Sequence, residues 1–239
     1  MTELLSMSVR QLMGKWRLII VAGLAGLPVL STVLSVIFGD ASGARLADEI
    51  DDAVLQGMFA SAIVPLVTLA FAGAAFGNEI EDSTLANLYL TPVARWRIVA
   101  PKFLATLVVA LVVVAVSALA SFSVGYEGDA TAIAAAVIGL CAGVVAYSSA
   151  FLWLGLVAQR AIAVGLVYVL LWEGLFSGFV NGIKYFSIRQ YMLGIVQGID
   201  SDRLGSNLLS FEAAIIGTVV VTALFLFLSV RRLRRMDIP

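Results

Sequence analysis

Six long apolar runs constrain this sequence more than any other feature. A helix needs about 20 mostly apolar residues to cross the hydrocarbon core of a bilayer, and each run is close to that length. The runs are continuous rather than alternating, which indicates helices and not the strands of a barrel. We therefore predict an all-α integral membrane protein with six transmembrane helices. The predicted spans cover residues 18–38, 54–76, 98–122, 133–156, 162–180 and 211–230.

The composition supports a membrane protein and removes several classes of chemistry. Of all residues, 61% are hydrophobic and 13% are charged, about half the charge of a typical soluble domain. The single cysteine, Cys141, excludes an intrachain disulfide, and the lack of histidine excludes histidine metal sites and histidine-based triads. No stretch matches the phosphate-binding loop G-x-x-x-x-G-K-[ST]. We predict no metal, no cofactor and no catalysis on this chain, and a single domain over residues 1–239.

The basic residues predict the orientation. Eleven of the 15 Lys and Arg residues fall in the N-terminal stretch, the second and fourth connectors and the C-terminal tail. Residues 40–52 are predicted to form an acidic loop on the opposite side. Cytoplasmic segments carry the excess of Lys and Arg, so both termini are predicted to be cytoplasmic. We expect a multi-pass protein of the plasma membrane, with the lipid bilayer and no nucleic acid among its partners.

A short amphipathic stretch precedes the first span. Leu5, Val9, Leu12, Met13 and Trp16 recur at helical spacing, with polar residues between them. This pattern predicts an N-terminal helix lying in the membrane interface. A cleaved signal peptide is the alternative, but no small-residue cleavage site follows promptly.

The second connector is unusually polar for this chain. It begins with the carboxylates of Glu79, Glu81 and Asp82, and Leu85 and Leu88 then lie on one helical face. Asp82 or Ser83 can cap a short helix, and Pro92 ends it. The pattern predicts a cytoplasmic helix over residues 79–90 that offers acidic groups and a small apolar ridge to a partner.

This connector resembles that of the ATP-binding-cassette (ABC) type-2 exporter permeases. The resemblance rests on Glu79-x-Glu81-x-x-Thr84-Leu85-x-x-Leu88-x-x-x-Pro92-Val93-x-Arg95, followed by Lys102. The whole layout is also similar: an interfacial N-terminal helix, six spans, internal termini and a basic tail. Two positions depart from the family pattern, since Ser83 stands where glycine is common and Pro101 where a small residue is usual.

The resemblance implies a coupling helix that docks into a separate ATPase subunit, which would bind ATP and Mg. It also implies a second permease copy, as a homodimer or with a related permease. The docking residues would be Glu79, Glu81, Asp82, Leu85, Leu88 and Arg95. For Arg95, Arg97 and Lys102, anchoring at lipid headgroups is an equally open interpretation.

The substrate route would lie between two copies, lined by the second and fifth spans. By resemblance, the candidates are Phe59, Ile63, Val67 and Phe71 on the second span and Tyr168, Glu173 and Phe176 on the fifth. The same spacing is typical of ordinary helix packing. Glu173 is the only ionisable residue well inside a predicted span and is a functional candidate for that reason, although a hydrated carboxylate near the interface is the alternative.

The region from Asn181 to Gly198 is too polar to span but is half apolar. It resembles the short re-entrant outer helices between spans five and six, which form an extracellular gate in this family. An interfacial helix without a gating role is the other interpretation.

The predicted function is the permease subunit of an ATP-driven exporter for a lipid, an amphipathic drug or a hydrophobic peptide. The alternative is an ATP-independent secondary transporter or channel. That class often shows internal repeats and charged midplane residues, both scarce here.

Overall fold

The computed structural model describes residues 14–39, 42–81, 95–158, 160–176, 181–201, 204–205 and 208–235. Within these ranges the chain forms helical segments and no strand. In chain order they are α1 (Lys15–Phe38), α2 (Ala44–Glu49), α3 (Ile50–Ile63), α4 (Val64–Thr68), α5 (Leu69–Gly73), α6 (Ala74–Glu81), α7 (Trp96–Gly125), α8 (Ala130–Val157), α9 (Ala161–Tyr168), α10 (Val169–Phe176), α11 (Asn181–Phe186), α12 (Ile188–Ile199) and α13 (Phe211–Arg235).

The segments α2 to α6 follow one another without a break and form one long helix, which we call the central rod (Ala44–Glu81). Two of its segments, α3 and α5, are π-helical, as is α10. At the end of α3, the amide of Val64 donates to the carbonyl of Phe59, five residues earlier. The wider π-helical turn shifts the faces of the rod relative to a regular α-helix.

The central rod lies at the middle of the bundle. In its most apolar stretch 78% of the residues are buried in the protein, against 17% in α1 and 11% in α13. The outer helices therefore expose large apolar side chains such as Ile216, Val219 and Phe227, each 61% exposed. Helices with this surface are stable in lipid, where every backbone polar group is satisfied within the helix.

Hydroxyl side chains inside these helices bond to their own backbone. Thr32, Thr106 and Ser121 each donate to the carbonyl four residues earlier, at 2.8–3.0 Å. Such bonds satisfy the hydroxyl without a partner helix. They allow polar residues to lie in apolar spans at little cost.

Five of the six predicted spans correspond to helices long and apolar enough to cross a membrane: α1, the central rod, α7, α8 and α13. The fifth predicted span, 162–180, corresponds to α9 and α10, which end at Phe176 among the described residues. At 1.5 Å per residue, 16 residues reach only about 24 Å, short of a hydrocarbon core of about 30 Å. The fifth predicted span, and with it the total of six, therefore stays a prediction. The prediction of a multi-pass membrane protein is confirmed.

The interpretation of residues 40–52 as an acidic loop is wrong from Ala44 onward. This stretch is helical and begins the central rod ten residues before the predicted start of the second span. Asp51 is buried, and the hydroxyl of Tyr126 at the end of α7 donates a hydrogen bond to its carboxylate. A carboxylate can be buried when such a donor is present, and spacing along the chain does not reveal that donor.

The predicted interfacial helix before residue 14 lies outside the described residues. The region 181–198 forms two short helices, the 3₁₀-helical α11 and the amphipathic α12. Their insertion into the membrane as re-entrant helices stays a prediction.

Candidate functional site

Two regions of the bundle carry the candidate functional residues. The first is the base of the second connector, where α6 ends and α7 begins. Glu79 and Glu81 lie in the last turn of α6, so the central rod continues past the predicted end of the second span at Phe76. Asp82, Leu85 and Leu88 lie outside the described residues. The separate docking helix therefore stays a prediction. The first two residues predicted to carry its carboxylates, Glu79 and Glu81, belong to the central rod.

Arg95 marks the start of α7. Its carbonyl accepts hydrogen bonds from the amides of Ile98 and Val99 at 3.1 and 3.2 Å, and its side chain is half-buried. The exposed guanidinium of Arg97 lies 5.6 Å from the centre of the Trp96 ring. That pair is suited to the membrane interface, where both residue types are enriched.

Lys102 differs from these two arginines, because it is only 7% exposed. Its Nζ donates to the carbonyl oxygen of Ala75 at 2.6 Å and lies 4.7 Å from the centre of the Phe76 ring. A buried ammonium is stable only with such compensating contacts. The expected roles of Lys102 as a headgroup anchor or partner contact are therefore wrong. Lys102 instead connects α7, which follows the connector, to α6, which precedes it.

The second region surrounds Glu173 on α10, which is fully buried. Its Oε2 accepts a hydrogen bond from the Ser187 hydroxyl at 2.6 Å. Its Oε1 accepts from the Tyr168 hydroxyl and from the backbone amide of Ile188, each at 3.2 Å. The alternative of a hydrated interfacial carboxylate is therefore wrong, since protein donors replace water around both oxygens.

Sequence reasoning missed Ser187, which caps α12. Its hydroxyl oxygen accepts from the amide of Gln190 at 3.3 Å while the same hydroxyl donates to Glu173. The signal was present as Ser187-x-x-Gln190, the S-x-x-Q pattern of a capping box. Only half of the box forms, because the Ser187 amide donates to the carbonyl of Lys184. The carboxylate of Glu173 thus lies at the N-terminus of α12, where the helix dipole favours a negative charge.

Further contacts tie α12 and its surroundings to other parts of the bundle. Trp172 Nε1 donates to the carbonyl of Phe186 on α11 at 3.3 Å. Arg189 Nη2 lies 3.4 Å from the carbonyl oxygen of Gln56 on the central rod, at the long limit for a hydrogen bond. Together with Glu173, these contacts connect α10, α11, α12 and the central rod at one end of the molecule.

The helix α12 is packed tightly between α8 and α13. A Cβ atom on Gly139 of α8 would lie 2.8 Å from the carbonyl oxygen of Met192 and 2.4 Å from Cγ2 of Val196. On its other side, a Cβ on Gly194 would lie 2.9 Å from the carbonyl oxygen of Leu209. The glycines of α8 and α12 therefore permit close contacts between helices within one chain.

The candidate pathway residues of the second span lie in the core. Phe59, Val67 and Phe71 are fully buried, Ile63 is 3% exposed, and the ring of Phe59 lies 5.4 Å from that of Phe122. Tyr168 is half-buried, and its ring is nearly perpendicular to that of Phe151, with the ring centroids 6.3 Å apart. Phe176 is the last residue of α10, and its side chain lies outside the described part of the structure. Within a single chain these four residues of the second span therefore pack in the protein core, as ordinary helix packing would place them. Their role in a substrate pathway stays a prediction.

No cluster of three or more potential metal ligands occurs among the described residues. A cleft of about 340 Å³ lies between α1, the central rod and α9, lined almost wholly by apolar side chains with Arg17 at its edge. The described geometry thus offers buried polar contacts between helices, a pattern suited to positioning helices relative to one another.

Comparison with known proteins agrees with this picture. A search of curated proteins found no match to the chain. The sequence model of the family described as ABC-2 family transporter protein matches residues 14–187, which is well over half of the chain. The match includes the second connector, the central rod and Glu173. The chain therefore belongs to the ABC-2 transporter family and is a permease of an ABC-2 transport system.

Proposed function

We propose that this chain is the membrane subunit of an ATP-driven exporter that moves a hydrophobic or amphipathic substrate out of the cytoplasm. Membership of the ABC-2 permease family implies an ABC ATPase partner. In this proposal the partner binds and hydrolyses ATP with Mg, and the permease performs no covalent chemistry. The partner docks on the cytoplasmic connector helix, residues 79–90, with Arg95 at its far end.

The observation that carries this proposal is the continuity of the central rod. The rod is the most buried of the long helices, and it runs without a break to Glu81, into the predicted docking surface. A displacement of the connector would therefore act directly on the core of the bundle. Lys102 would transmit the same displacement to α7 through its bond to Ala75. Switching between two arrangements of packed helices is a known mode of transport-related conformational change.

A second copy of the chain supplies the other half of the route in this proposal. Phe59, Ile63, Val67 and Phe71 are buried within one chain, so they would reach substrate only if the helices around the rod part during the cycle. The aromatic and aliphatic character of these residues, and of Tyr168 and Phe176, suits a lipid, an amphipathic drug or a hydrophobic peptide.

The docking surface can be tested by replacing Leu85 and Leu88 with aspartate in the full chain. The apolar ridge would then carry two charges, so copurification of the ATPase should be lost while the permease stays in the membrane fraction. The control is S123D/T131D, which adds two carboxylates at exposed positions near the opposite end of the bundle. Undiminished copurification of the ATPase with L85D/L88D would refute the docking assignment.

Energy coupling needs a separate measurement. ATP hydrolysis by the reconstituted complex should increase with one class in a panel of lipids, drugs and peptides. Transport into vesicles that requires a proton gradient and no ATP would instead show that this protein is a secondary transporter.

A further inference from the structure

The Glu173 cluster joins parts of the chain that are distant in sequence. Glu173 lies on α10, which directly follows α9 and its last residue, the donor Tyr168. Two further donors, Ser187 and Ile188, lie at the N-terminus of α12. Donors from both parts of the chain thus converge on one fully buried carboxylate. Removing any of them would leave a buried charge poorly compensated, which is costly. The cluster is therefore stable only while α10 and α12 stay together.

The helix α12 is also held from its other sides. Close approach at Gly139 fixes it against α8, and close approach at Gly194 fixes it against the start of α13. The segment α9–α10 packs on the central rod with its inner face, where a Cβ on Gly165 would lie 2.3 Å from Cδ1 of Leu69. Its outer face exposes Leu170 and Val167 at 59% and 55%. A movement of α9–α10 would therefore either break the Glu173 cluster or shift α12 within its glycine-lined site.

We propose that Glu173 is a positioning residue for transport, whose carboxylate fixes the N-terminus of α12 to α10 so that the two helices move as one unit. This inference rests on the proposed function, because it assigns the Glu173 cluster a place in the ATP-driven cycle. A carboxylate suits this task better than an amide. Both of its oxygens accept hydrogen bonds, whereas an amide has a single accepting oxygen, and a carboxylate interacts favourably with the positive end of the helix dipole.

The contact itself is tested by hydrogen exchange on the purified full-length permease in lipid nanodiscs. The variant E173Q keeps the side-chain volume but removes the charge, and its amide nitrogen cannot accept the Ser187 hydroxyl. The amides of Ile188 and Gln190 should then exchange about tenfold faster, as expected for the loss of a charge-assisted hydrogen bond. The control E212Q changes an exposed carboxylate in the first turn of α13 and should leave these amides unchanged. Wild-type exchange at Ile188 and Gln190 in E173Q would overturn the proposal.

The transport role is tested in the complex with the ATPase, trapped with ATP, Mg and vanadate. In the wild-type complex, trapping should change the exchange of α9–α10 and of α12 together. In E173Q the change should persist in α9–α10 and disappear from α12, which a loss of stability alone would not produce. An unaltered response of α12 in E173Q would refute the positioning role. No response in any wild-type helix would refute the proposed function together with the transport role of Glu173, while the contact would still be judged by the first measurement.

Discussion

Replacing Lys102 with methionine separates two explanations for the basic residues beside the connector. If Lys102 anchors the chain at lipid headgroups, its loss should resemble the loss of Arg97, five residues earlier. In the structure Lys102 is 7% exposed, whereas Arg97 is exposed. Methionine keeps most of the side-chain packing and removes the hydrogen bond from Nζ to the Ala75 carbonyl, together with the contact to the Phe76 ring.

The expected magnitude follows from these two contacts. A hydrogen bond from a charged donor contributes about 1.5–3 kcal/mol, and a partly desolvated cation–π contact adds about 0.5–2 kcal/mol. The relief of ammonium desolvation offsets part of this sum, so K102M should lose about 2 kcal/mol of stability. For a chain of this size, 1 kcal/mol lowers the melting temperature by about 2–4 °C, which gives a decrease of about 4–8 °C. The exposed Arg97 contacts contribute little, so R97M should lower the melting temperature by about 2 °C or less.

The assay is thermal unfolding of both variants in the same detergent, followed by tryptophan fluorescence. The same two variants should also be compared for ATP hydrolysis in the complex, where only K102M should reduce the coupling of hydrolysis to transport. Equal melting temperatures for K102M and R97M would refute the reasoning, because they would show that the buried contact to Ala75 contributes nothing beyond an exposed charge.

Two further predictions concern stability. G139A should lower the melting temperature by about 2–12 °C, since overpacking against the Met192 carbonyl costs about 1–3 kcal/mol. In the control G23A the added Cβ meets no atom within 4 Å, so the melting temperature should not fall. Equal effects of the two substitutions would contradict the close approach of α12. D129A should cost about 1 kcal/mol of stability, because it removes the N-cap of α8. The Asp129 side chain accepts hydrogen bonds from the amides of Thr131 and Ala132 at 3.0 and 3.3 Å. D129N should retain most of that stability, and a wild-type melting temperature for D129A would argue against the cap.

Much of the fold could be predicted because the length of an apolar run is a local property. Five of the six predicted spans match long apolar helices, and the first, third, fourth and sixth begin within three residues of the predicted start. The early start of the central rod could not be predicted in this way. The residues Asp48, Glu49, Asp51 and Asp52 predict an acidic loop. The burial of Asp51 depends on tertiary contacts such as the hydrogen bond from Tyr126, 75 residues away along the chain.

The candidate site was predictable in part. The acidic and apolar pattern of the connector indicated the family, and the family match confirms that resemblance. The docking role of the connector stays a prediction. Glu173 stood out as an ionisable residue in an apolar run, and its donor Tyr168 was also a candidate. The donors Ser187 and Ile188 were not recognised, because they are 14 and 15 residues away along the chain. The S-x-x-Q signal at Ser187 could have located the start of α12, yet no sequence pattern places that start against α10.

The sequence alone determined that this chain is a helical membrane protein of the ABC-2 type, because apolar run length and local motifs do not depend on the rest of the fold. Tertiary structure decided what the polar residues do inside it. From the sequence, Lys102 could be an exposed anchor at lipid headgroups or a buried link between two helices. Glu173 could likewise be a hydrated or a buried carboxylate. The helices that pack beside these residues decide between the two possibilities. In an apolar bundle a charge is stable only where its partners are brought to it, and those partners come from distant parts of the chain.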